Sequence, residues 1–187
     1  MSSGTSSGPS RPSGVNHLVL NVRDLEASHR FYTEVLGFEH CGVLGDHIPM
    51  TMHFYRSGPG HHHDIALVQM RPEDAATPVP EWGMRPGSSA LNHVAICYPD
   101  RESWLHQLEH LREMGVDFLV RGDHGMTHSL YIADPDGNGI EVLYELPEEV
   151  WAGDLNAALN YFKPIDRNSP EALEDSTDYK VFEPTTS

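Results

Sequence analysis

The apolar pattern of this chain repeats itself. Val15-Asn16-His17-Leu18-Val19-Leu20 resembles Leu91-Asn92-His93-Val94-Ala95-Ile96 at an offset of 76 residues, and Asp24 matches Asp100 at the same offset. Each Asp is placed to cap a helix by accepting from the free N–H groups of its first turn. The first helix is expected over Leu25 to Leu36, with Leu25, Tyr32, Val35 and Leu36 on one face, and the second over Arg101 to Met114, with Trp104, Leu108 and Leu111 as its stripe. Gly37 and Gly115 follow, where a left-handed residue ends a helix. Three strand-like runs come after each helix: Phe38 to Leu44, Met50 to Arg56 and Asp64 to Met70, then Asp117 to Arg121, Met126 to Ala133 and Gly139 to Glu145. Asp134-Pro135-Asp136-Gly137 separates the last two as a strong turn signal.

Each half therefore reads β-α-β-β-β, and the fold class is α+β. The expected organisation is a tail over 1–14, a first module over 15–70, a proline- and glycine-rich linker over 71–90, a second module over 91–146, and an extension over 147–187. The tail is rich in Ser, Gly and Pro, lacks the apolar core of a secretory signal, and reads as disordered. Trp151, Leu155, Leu159 and Phe162 can form a short amphipathic helix in the extension, suited to packing or dimer contact.

Composition excludes some partners. The formal net charge is -16, with 28 acids against 12 Lys and Arg. Such a surface repels phosphate backbones and anionic lipid, so neither nucleic acid nor membrane is an expected partner. No apolar run reaches the roughly 18 residues of a membrane span. Two cysteines, Cys41 and Cys97, are too few for a disulfide framework, and their apolar surroundings suggest buried free thiols. The expected location is cytoplasmic and the default assembly a homo-oligomer.

Thirteen histidines are many for 187 residues. His17 and His93 occupy equivalent positions on the first strands of the two halves, and Glu141 lies on the last strand of the second. Two imidazoles and one carboxylate on rigid strands can cap one face of a metal octahedron, leaving the other positions to substrate and O2. Either His alone could be a core residue satisfied by a hydrogen bond. Glu141, inside Gly139-Ile-Glu-Val-Leu143, is costly to bury unless paired or metal-bound. A structural zinc site would call for four ligands, often Cys, and neither Cys is so placed.

Residues 15–146 resemble the vicinal oxygen chelate superfamily, whose members pair βαβββ modules into a cupped mixed sheet around one metal. Within it they are most similar to the type I extradiol ring-cleavage dioxygenases. The stretch from His124-Gly125 through Tyr131-Ile-Ala-Asp-Pro-Asp-Gly-Asn-Gly-Ile-Glu141 carries most of the likeness, together with His63-Asp64-Ile65-Ala66-Leu67. The resemblance implies Fe(II), or Mn(II) in some relatives, on His17, His93 and Glu141. It implies His63 as an acid–base group, and His124 and Tyr131 as hydrogen-bonding partners of a catechol-type diol that reacts with O2. His128 is the alternative to His124; His63 follows His61 and His62, so its register is open by one position, and the bland reading of all three is a solvated loop that scavenges metal incidentally. Met50, Met52, Phe54 and Trp82 are candidates for an apolar pocket wall or for core.

Two other readings share the fold. A glyoxalase-like lyase or isomerase would use four protein ligands, two from each half. The 48-residue spacing from His93 to Glu141, laid on His17, falls on Ile65, which cannot bind metal. A metal-free binding protein would have no need of the His, His and Glu set.

Overall fold

The computed structural model describes residues 14–44, 48–76, 78–79, 81–84 and 91–184. The disordered tail expected over 1–14 lies outside these residues except for Gly14, as does part of the linker.

Two mixed sheets carry the α+β fold. In the first, β1 (Leu18–Val22), β2 (Glu39–Val43), β3 (Met52–Arg56) and β4 (Ile65–Gln69) are ordered β1-β4-β3-β2. In the second, β5 (His93–Cys97), β6 (Val120–Asp123), β7 (Thr127–Ala133) and β8 (Gly139–Glu145) are ordered β5-β8-β7-β6. β9 (Lys163–Ile165), from the C-terminal segment, joins the edge of β6. In each sheet the opening strand lies parallel to the closing one, β1 to β4 and β5 to β8, and the other pairs are antiparallel.

The helices obey their caps. Asp24 accepts from the Ala27 N–H at 3.0 Å and Asp100 from the Ser103 N–H at 2.8 Å. α1 (Leu25–Arg30) is shorter than its apolar stripe suggests, because Phe31–Val35 widens into a π-helical turn closed by Leu36 N–H to Phe31 O at 3.0 Å. The Thr33 hydroxyl donates to His29 O at 2.7 Å within this stretch, a local bond that competes with the regular ladder. Its last carbonyls are satisfied from the other module: Gln107 donates to Val35 O, His110 reaches Glu34 O and Tyr98 donates to Leu36 O. α2 (Arg101–Glu113) runs regularly, and Gly37 and Gly115, at φ +81° and +72°, end the two helical stretches.

One apolar cluster joins the modules. Val22, Tyr32, Tyr55 and Leu67 of the first pack with Trp104, Leu108, Leu130, Ile140 and Val142 of the second. The Asp134–Gly137 turn is a clamp between them. Asp134 accepts from the Tyr32 hydroxyl at 3.1 Å, while Asp136 accepts from the Arg23 N–H at 3.0 Å and pairs with its guanidinium at 3.2 Å. Burial of that turn raises the Asp134 pKa despite its hydrogen bonds and pushes the Tyr32 phenol up.

The C-terminal segment packs along the second module. α3 (Glu148–Trp151) and α4 (Leu155–Leu159) precede β9, and Asp175 then reaches His128, Tyr144 and Arg101. The amphipathic helix expected from Trp151, Leu155, Leu159 and Phe162 is thus broken into two short pieces, with Leu155 and Leu159 exposed. The cysteines correct an expectation. Both are free, but Cys97 is exposed and Cys41 only half-buried, because strand alternation turns Ala95 and Cys97 away from the core while Val94 faces it.

Candidate metal centre

Alternation along the strands decides what faces the site. On β5 and β8, Val94, Ile140 and Val142 enter the core, so His93 and Glu141 project from the opposite face. Their register brings them together: His93 pairs with Gly139 and Ala95 with Glu141. Nε2 of His93 lies 3.2 Å from Oε2 of Glu141, whose residue is 7% exposed.

Tyr131 sits directly across from Glu141 on β7. Its ring meets His93 edge-on at 5.3 Å, and its hydroxyl is 3.2 Å from His124 Nε2. Burial, reinforced by the nearby Glu141 carboxylate, pushes the Tyr131 phenol well above its usual range, so it stays protonated. Burial, with further lowering from the neighbouring His93 and His128, brings His124 below the usual imidazole range despite the charges of Glu141 and Asp123. His124 is therefore neutral at neutral pH, with one ring nitrogen to donate and one to accept. His128 belongs elsewhere: it is on the core side of β7, with Nδ1 2.5 Å from Asp175.

The first module carries the other candidate residues. His17, immediately before β1, has its ring 4.4 Å from that of His63 and 5.9 Å from that of His62. Phe54 packs on His63 at 5.0 Å. Desolvation first, then the neighbouring imidazoles, lowers the His63 pKa. His17 and Asp64 line one groove with Ala95 and Cys97, so the strand that carries Glu141's partner borders the His17 side.

The Asn-His pair of the repeat is a device for presenting imidazoles. Nδ1 of His17 is 2.7 Å from Asn16 Oδ1, and Nδ1 of His93 is 2.7 Å from Asn92 Oδ1. An amide oxygen only accepts, so each Nδ1 carries the proton and each Nε2 keeps a bare lone pair, the form that binds metal. The His93–Glu141 separation also fits: two cis ligands at metal distances of ~2.0–2.2 Å stand about 3 Å apart. Among the described residues, no three His, Cys, Asp or Glu side chains are gathered as a ready metal-holding group. The structure brings His93 to Glu141 and His17 to His63, as two separate pairs.

Register also locates the absent fourth donor. Val19 pairs with Ala66 as Ala95 pairs with Glu141, so the counterpart of Glu141 in the first module is the buried Ala66, one residue beyond the Ile65 found by counting. Neither residue can bind metal.

Trp82 belongs to the site. It stacks on Tyr131 at 5.5 Å and 12°, and its indole N–H donates to Asn92 O at 2.6 Å. Gly139 makes room for it, since a Cβ there would lie 2.0 Å from the indole nitrogen. Phe162 covers His124 at 4.8 Å. Neither contact was readable from the strand pattern, because both residues come from irregular segments; their aromatic character was the only signal.

Comparison with known proteins supports this architecture. The chain is 31% identical over 140 residues to a catechol-2,3-dioxygenase of Bacillus subtilis, an alignment covering 75% of this chain and 44% of that protein. The chain thus spans less than half the length of that curated relative. A glyoxylase/bleomycin resistance protein/dioxygenase domain from Frankia sp. superimposes with a TM-score of 0.56 at 24% identity, covering 73% of this chain and all of that one. A lactoylglutathione lyase from Agrobacterium tumefaciens superimposes with a TM-score of 0.50 at 26% identity, covering 72% and 96%. The sequence profile of the Glyoxalase/Bleomycin resistance protein/Dioxygenase superfamily matches residues 14–142. The chain belongs to that superfamily.

Proposed function

We propose that this chain is an extradiol dioxygenase, which opens the ring of a catechol-type diol with O2 at a non-haem Fe(II), or Mn(II), held by His17, His93 and Glu141. The observation that carries the proposal is the His93–Glu141 pair with Tyr131 across from Glu141 and His124 on the Tyr131 hydroxyl. The likeness to a catechol-2,3-dioxygenase supports the same reading.

A metal held by His17, His93 and Glu141 would supply electron transfer between the diol and O2. The protein residues do the rest. Tyr131, kept protonated, donates its one proton to a diol oxygen, and neutral His124, as the Nε2–H tautomer, orients that hydroxyl by donating to its oxygen. His63, a neutral imidazole beside His17, takes a catechol proton and returns it as the ring opens. Trp82 and Phe54 flank these groups and exclude water from the ring.

Anaerobic loading with Fe(II), followed by a panel of mono- and bicyclic catechols and air, is the test. O2 uptake with a yellow ring-opened product is expected, and no uptake across the panel overturns the proposal. A lyase reading, favoured by the likeness to the lactoylglutathione lyase fold, needs a fourth ligand, and Ala66 does not provide one. Loss of metal from His63→Ala would revive it by making His63 that ligand.

A further inference from the structure

Three histidines from three elements meet on the core side of the first sheet, away from the centre described above. His29 lies on α1, His40 on β2 and His53 on β3. His53 and Tyr55 alternate with Phe54, which faces His63, so the His53 side of β3 is opposite the candidate metal centre. His40 pairs with Tyr55 across strands, just before the bulge between His40 and Gly42. The ring centroids are 5.3 Å apart for His29 and His40, 5.0 Å for His40 and His53, and 6.0 Å for His29 and His53.

Those separations are informative. Three imidazoles on one tetrahedral zinc, each at ~2.0–2.1 Å, place their centroids roughly 5 Å apart. Tyr55 supplies the support such a site needs: its hydroxyl oxygen is 3.0 Å from His29 Nδ1 and 3.5 Å from His53 Nδ1. Two Nδ1–H groups donating to that oxygen leave both Nε2 lone pairs for a metal. Tyr55 is buried and its phenol is pushed up to about 12, so it remains neutral and acts as a holder, not a ligand. Asp24 and Glu26 line the same concavity and give it an acidic mouth.

We propose that His29, His40 and His53 form a second metal site, for one divalent ion of the imidazole-preferring class, of which zinc is the reference. Copper(II) and nickel(II) share that preference, while magnesium and calcium, which take oxygen ligands, do not. The donors are not already converged on one point, so closure requires ring rotation. His40, the most exposed of the three, turns on the solvent side. No residue of the first centre takes part.

Zinc titration against a chromophoric chelator tests this, with wild type beside His40→Gln, His29→Gln and a His61→Gln/His62→Gln control. His40 is exposed, so its variant should fold, which circular dichroism checks. Wild type and the control should bind one zinc equivalent more than His40→Gln or His29→Gln. Cobalt(II) should give a tetrahedral visible band that is lost in the same two variants. Iron-dependent O2 uptake by His40→Gln should be unchanged, which separates this site from the proposed dioxygenase centre. Equal zinc stoichiometry in wild type and a folded His40→Gln overturns the proposal, as does a cobalt band that follows His61 and His62.

Discussion

His93 Nε2 and Glu141 Oε2 face each other at 3.2 Å across the parallel β5–β8 pair, the spacing of two neighbouring ligands on one ion. Each imidazole of the repeat is also tethered through Nδ1 to the asparagine before it. Replacing Asn92 or Asn16 by Ala removes that tether and leaves the ligand in place. Such outer hydrogen bonds are worth about 10–100-fold in metal affinity. Iron dissociation constants should rise by that factor in both variants, whereas His93→Ala and Glu141→Ala should lose the metal. Unchanged affinity in the Asn variants would show that the tethers do not prepare the ligands.

Tyr131→Phe keeps the ring that stacks on Trp82 and removes only the hydroxyl. Metal content should stay at the wild-type level, while turnover falls by roughly 10²–10⁴-fold, the usual contribution of a positioned proton donor. Equal turnover would reduce Tyr131 to a packing residue.

Gly139→Ala places a methyl group where the Trp82 indole lies. Overpacking of this kind costs about 1–3 kcal/mol. The indole should leave Tyr131, shifting tryptophan fluorescence and raising KM for the diol more than it lowers metal content. A wild-type spectrum and KM would mean that Trp82 does not wall the site.

His128 ties the C-terminal segment to the second sheet through Asp175. Burial alone would lower its pKa, but the carboxylates of Asp123, 3.5 Å from Nε2, and Asp175, hydrogen-bonded to Nδ1, outweigh burial and raise it. A raised folded pKa gives stability that is fully present below the unfolded value, about 6.5, and lost as pH rises through the folded value. Asp175 is shifted downward on balance and stays charged across that window. The melting temperature should therefore fall as pH rises from about 6.5 through the raised His128 value, and His128→Gln should flatten that slope. An unchanged slope in the variant would place the pH dependence elsewhere.

The repeat made much of the fold legible. Caps at Asp24 and Asp100, stops at Gly37 and Gly115, and five of the six strand runs are local signals that tertiary packing did not override, while the run expected over Asp117 to Arg121 is displaced to Val120–Asp123. The π-helical turn at Phe31–Val35 was not readable, since it depends on Thr33 and on side chains of the other module. Counting gave Ile65 as the counterpart of Glu141, whereas strand register gives Ala66, because the first module is one residue longer between those strands. The DPDG motif read as a turn; that it clamps Tyr32 and Arg23 is a long-range fact no local pattern carries. His29, His40 and His53 share no sequence spacing that suggests a group, and only the sheet and α1 bring them together.

A crystal structure of the Fe(II)-loaded protein, grown without oxygen, tests the central claim most directly. The expected result is one iron bound by His17, His93 and Glu141, with Tyr131 and His124 beside its open positions and no protein atom of Ala66 or His63 in the coordination sphere. Iron bound by four protein ligands, or bound without His17, would contradict it.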